Sequence, residues 1–420
     1  LHAGVDDVVV LDDGPAPGGV ARTITRDGFV LEPAAGTLLL PHPHLSPVLD
    51  RIGAEVRPAI DAGIRHVYTR DRLVTLPTSP KAAFAPLVPW PAKLRALAEP
   101  FVRRSPPVDE TLDAFLRRRL GDGLGRTLAW VAASGVFAGD PERLSARSAF
   151  PAIVDLEDRA GSIVRGAVKR LRSRPKGATR PTSHVPVGGM EALARAAVER
   201  IGDRYRPQRR ATAVEPSGDG WSVRMGDDEV AARHVVATCR PGALAPMVDD
   251  ELADVLGEAV SAPVVVIGLG AATDRMPLPR GFGALTGPDA GFATLGVLFE
   301  SSYAPDRAPS GASLAKVIAG GRTRPDVAGW DRDRLVTAVC AEVGAITGGP
   351  VDPEFVEVVR HPDGIPQYEI GHREWLARLE ALVDRRPGLH LTGWGYRGVG
   401  VAHVAGDATR TAAAVASALA

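Results

Sequence analysis

Cysteine is scarce in this sequence: Cys239 and Cys340 are its only two, and both stand among apolar residues. Two cysteines so placed exclude a disulfide scaffold and a cysteine-based metal cluster. Scarce cysteine is also typical of proteins that work in a reducing compartment. We therefore expect a cytoplasmic protein, and no metal site is predicted.

An excess of one charge is also lacking, because 50 Lys and Arg residues balance 50 Asp and Glu residues. This balance excludes a dedicated nucleic-acid binder, which carries a basic excess. No window reaches the roughly 18 apolar residues that cross a bilayer, and no basic-then-apolar leader is recognisable. With 45% hydrophobic and 24% charged residues, the composition is globular. At 420 residues, about three times a typical domain, the chain predicts two or more domains.

The order of periodic patterns along the chain indicates an α/β protein with a helical middle. Residues 8–11 form a short, β-branched apolar run, as in a buried parallel strand. Helical spacing dominates residues 109–172, and strand patterns dominate residues 262–318. A strand, a loop and a helix close the chain over residues 389–420. Because both ends carry α/β patterns, we expect them to build one discontinuous domain.

An acid after the first strand carries the first functional signal. Asp12 stands where the second strand of a dinucleotide-binding fold places a carboxylate on the adenosine ribose. Gly18, Gly19 and Arg22 then supply flexible backbone and a fixed cation where a pyrophosphate would lie. A solvated acid that opens a turn is the alternative interpretation of Asp12.

The phosphate-binding Gly-x-Gly-x-x-Gly of such a fold belongs roughly 20 residues before the acid, and hence before Leu1. We expect it to lie upstream, in sequence absent from this chain. Gly268 and Gly270 imitate the motif after an apolar run, but its third glycine position is Thr273 and prolines follow. We interpret that run as a buried strand.

Glycines recur near the C-terminus, in the sequence GWGYRGVGV of residues 393–401. The segment follows a predicted strand and precedes an alanine-rich helix. Glycines let backbone amides approach a ligand, and a helix N-terminus favours an anion or a partly negative ring. A bare glycine-rich connection is the alternative.

Several short blocks along the chain form a recognisable series. They are Asp12, Gly18, Gly19 and Arg22, then AGDPERLS at 138–145, FP at 150–151, LE at 156–157, GSI at 161–163, GGM at 188–190, IPQY at 365–368, GH at 371–372 and YRGVGV at 396–401. Together they resemble the flavin-dependent protoporphyrinogen and coproporphyrinogen oxidases of the amine-oxidase-like FAD superfamily. The resemblance covers the whole chain. It departs from the family pattern at Ala34 and Ala35, where a Gly-Pro pair is usual, at Ala211 and at His361.

This resemblance implies an α/β architecture in three parts. A doubly wound FAD-binding domain, built from both ends of the chain, would stand beside a mixed-sheet substrate domain and a helical middle domain. The implied boundaries are residues 1–60, 186–260 and 371–420 for the FAD-binding domain, with its first strand missing, 61–90 and 261–370 for the substrate domain, and 91–185 for the helical domain.

The resemblance also implies roles for individual residues in binding FAD. It assigns the ribose to Asp12, the pyrophosphate to Gly18, Gly19 and Arg22, the flavin to Ala34, Ala35, Gly36 and Thr37, adenine to the backbone of Ala211, and the isoalloxazine ring and ribityl chain to Gly398, Val399, Gly400 and Val401. No catalytic side chain is predicted, because N5 of the flavin accepts the hydride.

Candidate substrate contacts are His42, His44 and Tyr368. The histidines would face carboxylates of the substrate, and the alternatives are loop histidines without a chemical role and a tyrosine that only packs. A basic run is predicted to contact anionic lipid or the substrate's propionates, or else to be a solvated loop. Its members are Arg165, Lys169, Arg170, Arg172, Arg174, Lys176 and Arg180.

The implied activity is the oxidation of coproporphyrinogen III to coproporphyrin III in haem biosynthesis, with dioxygen as acceptor and hydrogen peroxide as product. A basic run without a membrane-inserting apolar helix favours the tetracarboxylate coproporphyrinogen over the dicarboxylate protoporphyrinogen IX. It also limits membrane contact to a peripheral one at the inner face. The alternatives are a protoporphyrinogen IX oxidase, a cofactor-free porphyrin-binding homologue, and another amine-oxidase-like enzyme such as a carotenoid desaturase.

Overall fold

The structure is a computed structural model, which describes residues 3–76, 85–104, 108–173, 177 and 179–420. Its strands are β1 (Val10–Leu11), β2 (Ile24–Arg26), β3 (Phe29–Leu31), β4 (Leu38–Leu40), β5 (Val56–Pro58), β6 (Arg65–Thr69), β7 (Arg72–Leu76), β8 (Thr182–Pro186), β9 (Tyr205–Arg206), β10 (Ala213–Ser217), β11 (Gly220–Met225), β12 (Asp228–Ala232), β13 (Val235–Ala237), β14 (Ser261–Ala272), β15 (Gly283–Thr286), β16 (Thr294–Leu298), β17 (Ala312–Gly320), β18 (Phe355–Pro366) and β19 (Leu389–Leu391). Its helices are α1 (Ser46–Ile52), α2 (Trp90–Leu97), α3 (Leu112–Leu120), α4 (Asp122–Phe137), α5 (Ala146–Ala149), α6 (Pro151–Ala160), α7 (Ile163–Arg172), α8 (Met190–Ile201), α9 (Pro241–Leu244), α10 (Asp250–Gly257), α11 (Glu300–Tyr303), α12 (Arg332–Thr347), α13 (His372–Asp384) and α14 (Val401–Leu419).

A mixed sheet with the strand order β18-β14-β17-β16-β15-β6-β7 holds the main core among the described residues. Strand β14, between β18 and β17, has 12 residues, all apolar except Ser261, and α12 packs its apolar face against the sheet. The run that imitates a phosphate motif lies inside β14, so its interpretation as a buried strand is confirmed. An added Cβ on Gly268 or Gly270 would meet Leu31 or Phe29 at 2.7 Å, so these glycines admit neighbouring side chains rather than a ligand.

Parallel strand pairs and one apolar cluster bring distant parts of the chain together. β1 pairs with β9, and β13 pairs with β19, both in parallel. Near the two ends of the chain, Leu38 of β4 and Val401 of α14 pack in one cluster with Ala21. Parallel pairs beside helices confirm the predicted α/β class.

The helical middle of the chain packs α3, α4 and α6 around its own apolar cluster, which includes Phe115 and Phe137. The buried ion pair of Glu99 and Arg119 holds the start of α7 against these helices. The Glu99 carboxylate accepts the Ile163 N–H at 2.8 Å, which satisfies the first turn of α7, and Arg119 Nε donates to the same carboxylate at 2.7 Å. No helix among the described residues is long and apolar enough to cross a bilayer.

Candidate functional site

The acid predicted to bind a ribose lies at the end of β1. The Asp12 carboxylate accepts the Gly14 N–H at 2.8 Å and the Tyr205 hydroxyl at 3.2 Å. A carboxylate has about four lone-pair sites, so both oxygens can accept further donors. The Asp12 carbonyl accepts the Arg209 N–H at 2.8 Å, two residues before Ala211 in the chain.

Gly18 and Gly19 form the turn that follows the acid. Their φ angles are 117° and 55°, in the left-handed region that residues other than glycine rarely adopt. Arg22 follows this turn and is exposed. Burial and the nearby Arg22 guanidinium lower the pKa of His361. A glycine turn followed by a cation is suited to bind a phosphate group.

Three basic side chains from the large sheet and its connections hold the main chain of residues 33–36. We call His361, Lys316 and Arg307 the carbonyl clamp. Its contacts are His361 Nε2 to the Pro33 carbonyl at 2.9 Å, Lys316 Nζ to the Ala34 carbonyl at 3.1 Å, and Arg307 Nη2 to the Gly36 carbonyl at 2.7 Å. A carbonyl only accepts, so the His361 tautomer is assigned with its proton on Nε2. The clamp therefore fixes the backbone beside the predicted flavin residues, where Ala35 is exposed and Thr37 half-buried.

Two fully buried carboxylates accompany the carbonyl clamp. Lys316 Nζ lies 3.0 Å from Glu300 Oε1, and Arg307 pairs with Glu300 as well. Glu32 accepts the Met190 N–H at 3.0 Å. Burial raises the pKa of Glu32, and burial lowers the pKa of Lys316 to about 7 and that of Arg307 to about 10. Each pKa moves towards the neutral form because burial removes water from the charged form.

The glycine-rich loop after β19 is fastened at its middle. The Gly398 N–H donates to the Tyr368 hydroxyl oxygen at 2.6 Å. The φ angle of Gly398 is 147°, and an added Cβ would lie 2.3 Å from the His403 Cβ. Val401 packs against the apolar cluster that contains Leu38. The loop therefore meets the strand that follows the clamped segment.

Trp394 of the same loop provides a test of whether the site fits FAD. Its indole N–H is buried and has no hydrogen-bond partner among the described residues. A buried donor of this kind calls for an acceptor, and the phosphates and ring carbonyls of FAD are acceptors. Gly400 is the N-cap of the 19-residue α14, with no side-chain cap, and such an N-terminus favours negative charge. Val399 packs against the apolar cluster of the helical middle. The residues present therefore fit FAD.

The predicted substrate residues fall into two places. The His42 and His44 rings lie 5.7 Å apart after β4, and burial, then His44 and His403, lower the pKa of His42. Tyr368 stacks on His372 with 3.9 Å between the ring centroids, and burial raises its pKa to about 12. His403 of α14 thus lies near the two loop histidines, whereas the Tyr368 hydroxyl contacts the glycine-rich loop.

The predicted basic run begins on α7. Arg165, Lys169, Arg170 and Arg172 lie on this helix, Arg180 follows it, and Arg174 and Lys176 lie outside the described residues. Exposed apolar side chains share the helix with them: Val164, Val168 and Leu171.

The sequence analysis did not find Lys316, Arg307 or His403. Lys316 had one local signal, because it is the single charged residue of the apolar strand β17. Arg307 and His403 stand in segments with no pattern that marks them.

Comparisons with known proteins identify the family. The family model described as flavin containing amine oxidoreductase matches residues 1–416. The chain is 32% identical over 365 residues to protoporphyrinogen oxidase 1, chloroplastic, of Spinacia oleracea, and the match covers 79% of this chain and 65% of that protein. It therefore spans less than two thirds of the spinach protein's length. It is 24% identical over 428 residues to coproporphyrinogen III oxidase of Bacillus subtilis, with 94% of this chain and 88% of that protein covered.

Solved structures show the same fold. A candidate protoporphyrinogen oxidase from Exiguobacterium superposes with a TM-score of 0.84 at 21% identity, over 98% of this chain and 93% of that chain. Because the family match spans nearly the whole chain, its cofactor is FAD. The chain is an oxidoreductase that belongs to the flavin containing amine oxidoreductase family.

Proposed function

We propose that the chain is a coproporphyrinogen III oxidase of haem biosynthesis, which uses FAD and dioxygen and releases coproporphyrin III and hydrogen peroxide. The observation that carries the proposal is a convergence of distant segments. Ala21 beside the proposed phosphate turn, Leu38 beside one proposed flavin segment and Val401 of the other pack in one apolar cluster. The names of the Bacillus and spinach relatives support the substrate class.

FAD, when bound, supplies the hydride-accepting chemistry. Under the proposal, the chain holds it with Asp12 and the backbone near Ala211 at the adenosine, Gly18, Gly19 and Arg22 at the diphosphate, and residues 34–37 and 398–401 at the flavin. The domain boundaries belong to the same proposal, with the FAD-binding domain over residues 1–60, 186–260 and 371–420, the substrate domain over 61–90 and 261–370, and the helical domain over 91–185.

The helical middle would keep water from the reacting atoms. Val399 packs against its apolar cluster, and the rings of Phe137 and Tyr368 lie 5.5 Å apart beside that contact. An apolar cover over a flavin segment favours hydride transfer, because it excludes water and its side reactions. The work of these side chains is therefore to position the macrocycle and to cover it.

Substrate choice would depend on the imidazoles of His42, His44 and His403. Burial lowers the pKa of His42, which favours the neutral ring, and a neutral imidazole can donate a hydrogen bond to a propionate. Coproporphyrinogen carries more propionates than protoporphyrinogen, and the extra ones would need such donors. Protoporphyrinogen IX is the second candidate, because the spinach relative is named for it.

The test follows porphyrin fluorescence and peroxide in air after addition of either porphyrinogen to the FAD-loaded protein, with autoxidation subtracted. We expect a larger kcat/KM for coproporphyrinogen III. The double variant His42→Gln/His44→Gln should lower that kcat/KM and leave the value for protoporphyrinogen IX unchanged, while the remote His234→Gln changes neither. Equal kcat/KM values for the two substrates would overturn the preference, and no enzyme-dependent fluorescence would overturn the proposed reaction.

We also propose a peripheral contact with the inner face of an anionic membrane. Leu97, Phe101 and Leu171 are 74%, 84% and 62% exposed, and the Arg165 guanidinium lies 6.0 Å from the centre of the Phe101 ring. Glu99 ties the turn that carries Phe101 to the start of α7. An apolar surface ringed by basic side chains fits anionic headgroups.

Co-sedimentation with vesicles tests this contact. The protein should bind vesicles that contain phosphatidylglycerol more than vesicles of phosphatidylcholine alone. Phe101→Ser/Leu171→Ser should lose this binding, whereas Ile60→Ser, which removes an apolar side chain that is 50% exposed elsewhere, should keep it. Equal sedimentation of the two variants would contradict the proposed surface.

A further inference from the structure

The carbonyl clamp joins three separate elements to one short stretch of main chain. His361 comes from β18, Lys316 from β17 and Arg307 from the turn before β17. Each donates to a carbonyl within residues 33–36. We propose that the clamp positions this main chain against the flavin, with Lys316 as its central positioning residue. The inference rests on the proposed placement of FAD beside residues 34–37.

Lys316 occupies a position where packing alone favours an apolar side chain. Leu314 and Ile318, which share its face of β17, belong to or pack against apolar clusters, and Lys316 itself is 2% exposed. Lysine is almost never so buried unless it is paired. Apolar replacement of a buried ion pair is often neutral or stabilising, so the pair with Glu300 is weak support for stability. Neither packing nor stability therefore explains a lysine at position 316, which indicates a functional role for this side chain.

Gly36 shows how closely the clamp fits the backbone. A Cβ added at Gly36 would lie 3.0 Å from Lys316 Nζ and 3.1 Å from Arg307 Nη1. Lys316 Nζ and Arg307 Nη1 thus lie close to the main chain with no side chain between them. Hydrogen bonds from charged donors are about twice as strong as neutral ones. The carbonyls of this segment are therefore held in fixed directions.

The clamp also reaches the proposed phosphate turn. Arg307 Nη2 lies 3.8 Å from Glu32 Oε1, and Glu32 accepts the Thr23 hydroxyl at 3.1 Å. Thr23 directly follows Arg22. An added Cβ on Gly189 would lie 2.6 Å from Glu32 Oε1, so this end of the network is also closely packed. One buried network therefore contacts both proposed FAD segments near the N-terminus.

Lys316→Met tests the inference, because it removes the charge and fills a similar volume. Leu314→Met is the matched control: it introduces the same residue on the same strand, into the apolar cluster of Phe29. In Lys316→Met, Glu300 keeps its ion pair with Arg307, but the buried network carries one excess negative charge. Lys316→Met/Glu300→Gln removes that excess, and so separates lost positioning from charge imbalance. The measurements are the Kd of FAD for the apo-protein, the flavin midpoint potential and the unfolding midpoint of the apo-protein.

We expect Lys316→Met to weaken FAD binding by about tenfold to a hundredfold, the range for a hydrogen bond from a charged donor. The flavin midpoint potential should also fall by about 30 mV. In a two-electron couple, this fall means that the variant loses about tenfold more affinity for the reduced flavin than for the oxidised flavin. The potentials are compared at pH 6, below the Lys316 pKa of about 7, where the side chain is protonated. The fall follows because its positive charge favours the more negative reduced form. The double variant should recover the unfolding midpoint but neither FAD affinity nor potential, and Leu314→Met should match the wild type.

Unchanged affinity and potential in Lys316→Met would overturn the inference while the proposed function stands. Recovery of FAD affinity together with stability in the double variant would overturn it too, because the clamp would then serve only the fold. A wild-type protein that binds no FAD would overturn the proposed function and this inference together, which is a different result from failure of the variant alone.

Discussion

Removal of the Tyr368 hydroxyl should loosen the glycine-rich loop and weaken FAD binding. The ring of Tyr368→Phe still stacks on His372, but the Gly398 N–H loses the acceptor that it now meets at 2.6 Å. An unsatisfied buried donor costs about 1–3 kcal/mol. The Gly398 contact is partly buried, so we expect about 1 kcal/mol, which is about fivefold in the Kd of FAD. This energy is lost from FAD binding, because FAD must then order a glycine-rich loop that lacks the hydrogen bond to Tyr368.

Titration of the apo-protein with FAD, followed by quenching of flavin fluorescence, measures the change. Tyr68→Phe is the control, because Tyr68 is equally buried, at 5% exposure, and its hydroxyl donates to Asp71 at 3.5 Å, away from the loop. An unchanged Kd in Tyr368→Phe would refute the reasoning. An equal rise in both variants would refute it as well, since the effect would then be one of general stability.

Three further predictions concern buried charge and close packing. The pKa of Lys316 is about 7 in the folded protein and ordinarily 10.5, so between these pH values the unfolded chain binds one more proton than the folded protein. The contribution of Lys316 to the free energy of unfolding therefore rises with pH by up to about 1.4 kcal/mol per pH unit. Lys316→Met should abolish that rise in denaturant titrations from pH 7 to 10. Arg119→Met leaves the fully buried Glu99 without its partner and should lower the free energy of unfolding by about 3–5 kcal/mol, whereas Arg159→Met, at an exposed pair, should change it by less than about 1 kcal/mol. Gly36→Ala should lower the flavin retained after gel filtration, because its Cβ meets Lys316 Nζ at 3.0 Å.

Elements with a local signal could be predicted from the sequence. The middle of β14 was predictable because residues 264–270 form an apolar run, and the prolines after it exclude a following helix. The first strand was expected over residues 8–11 but is Val10–Leu11, because its partner β9 has only the two residues Tyr205–Arg206. A strand needs a partner, and the apolar run alone does not reveal where pairing begins.

The carbonyl clamp could not be predicted, because its contacts join residues far apart in the chain. Lys316 and Ala34 are 282 positions apart, and Arg307 and Gly36 are 271 apart. Neither periodicity nor turn chemistry carries information over such distances. Tyr368 stays a predicted substrate contact, and its hydrogen bond with the Gly398 N–H could not be predicted because the two residues are 30 positions apart.

Anaerobic reduction of the bound flavin tests the central claim most directly, because without dioxygen the porphyrinogen does not oxidise by itself. The FAD-loaded protein is mixed with a small excess of coproporphyrinogen III, and the visible absorbance of oxidised flavin is followed. We predict rapid loss of that absorbance, with return of the absorbance and release of hydrogen peroxide when air is admitted. Bound flavin that stays oxidised with both coproporphyrinogen III and protoporphyrinogen IX would contradict the account.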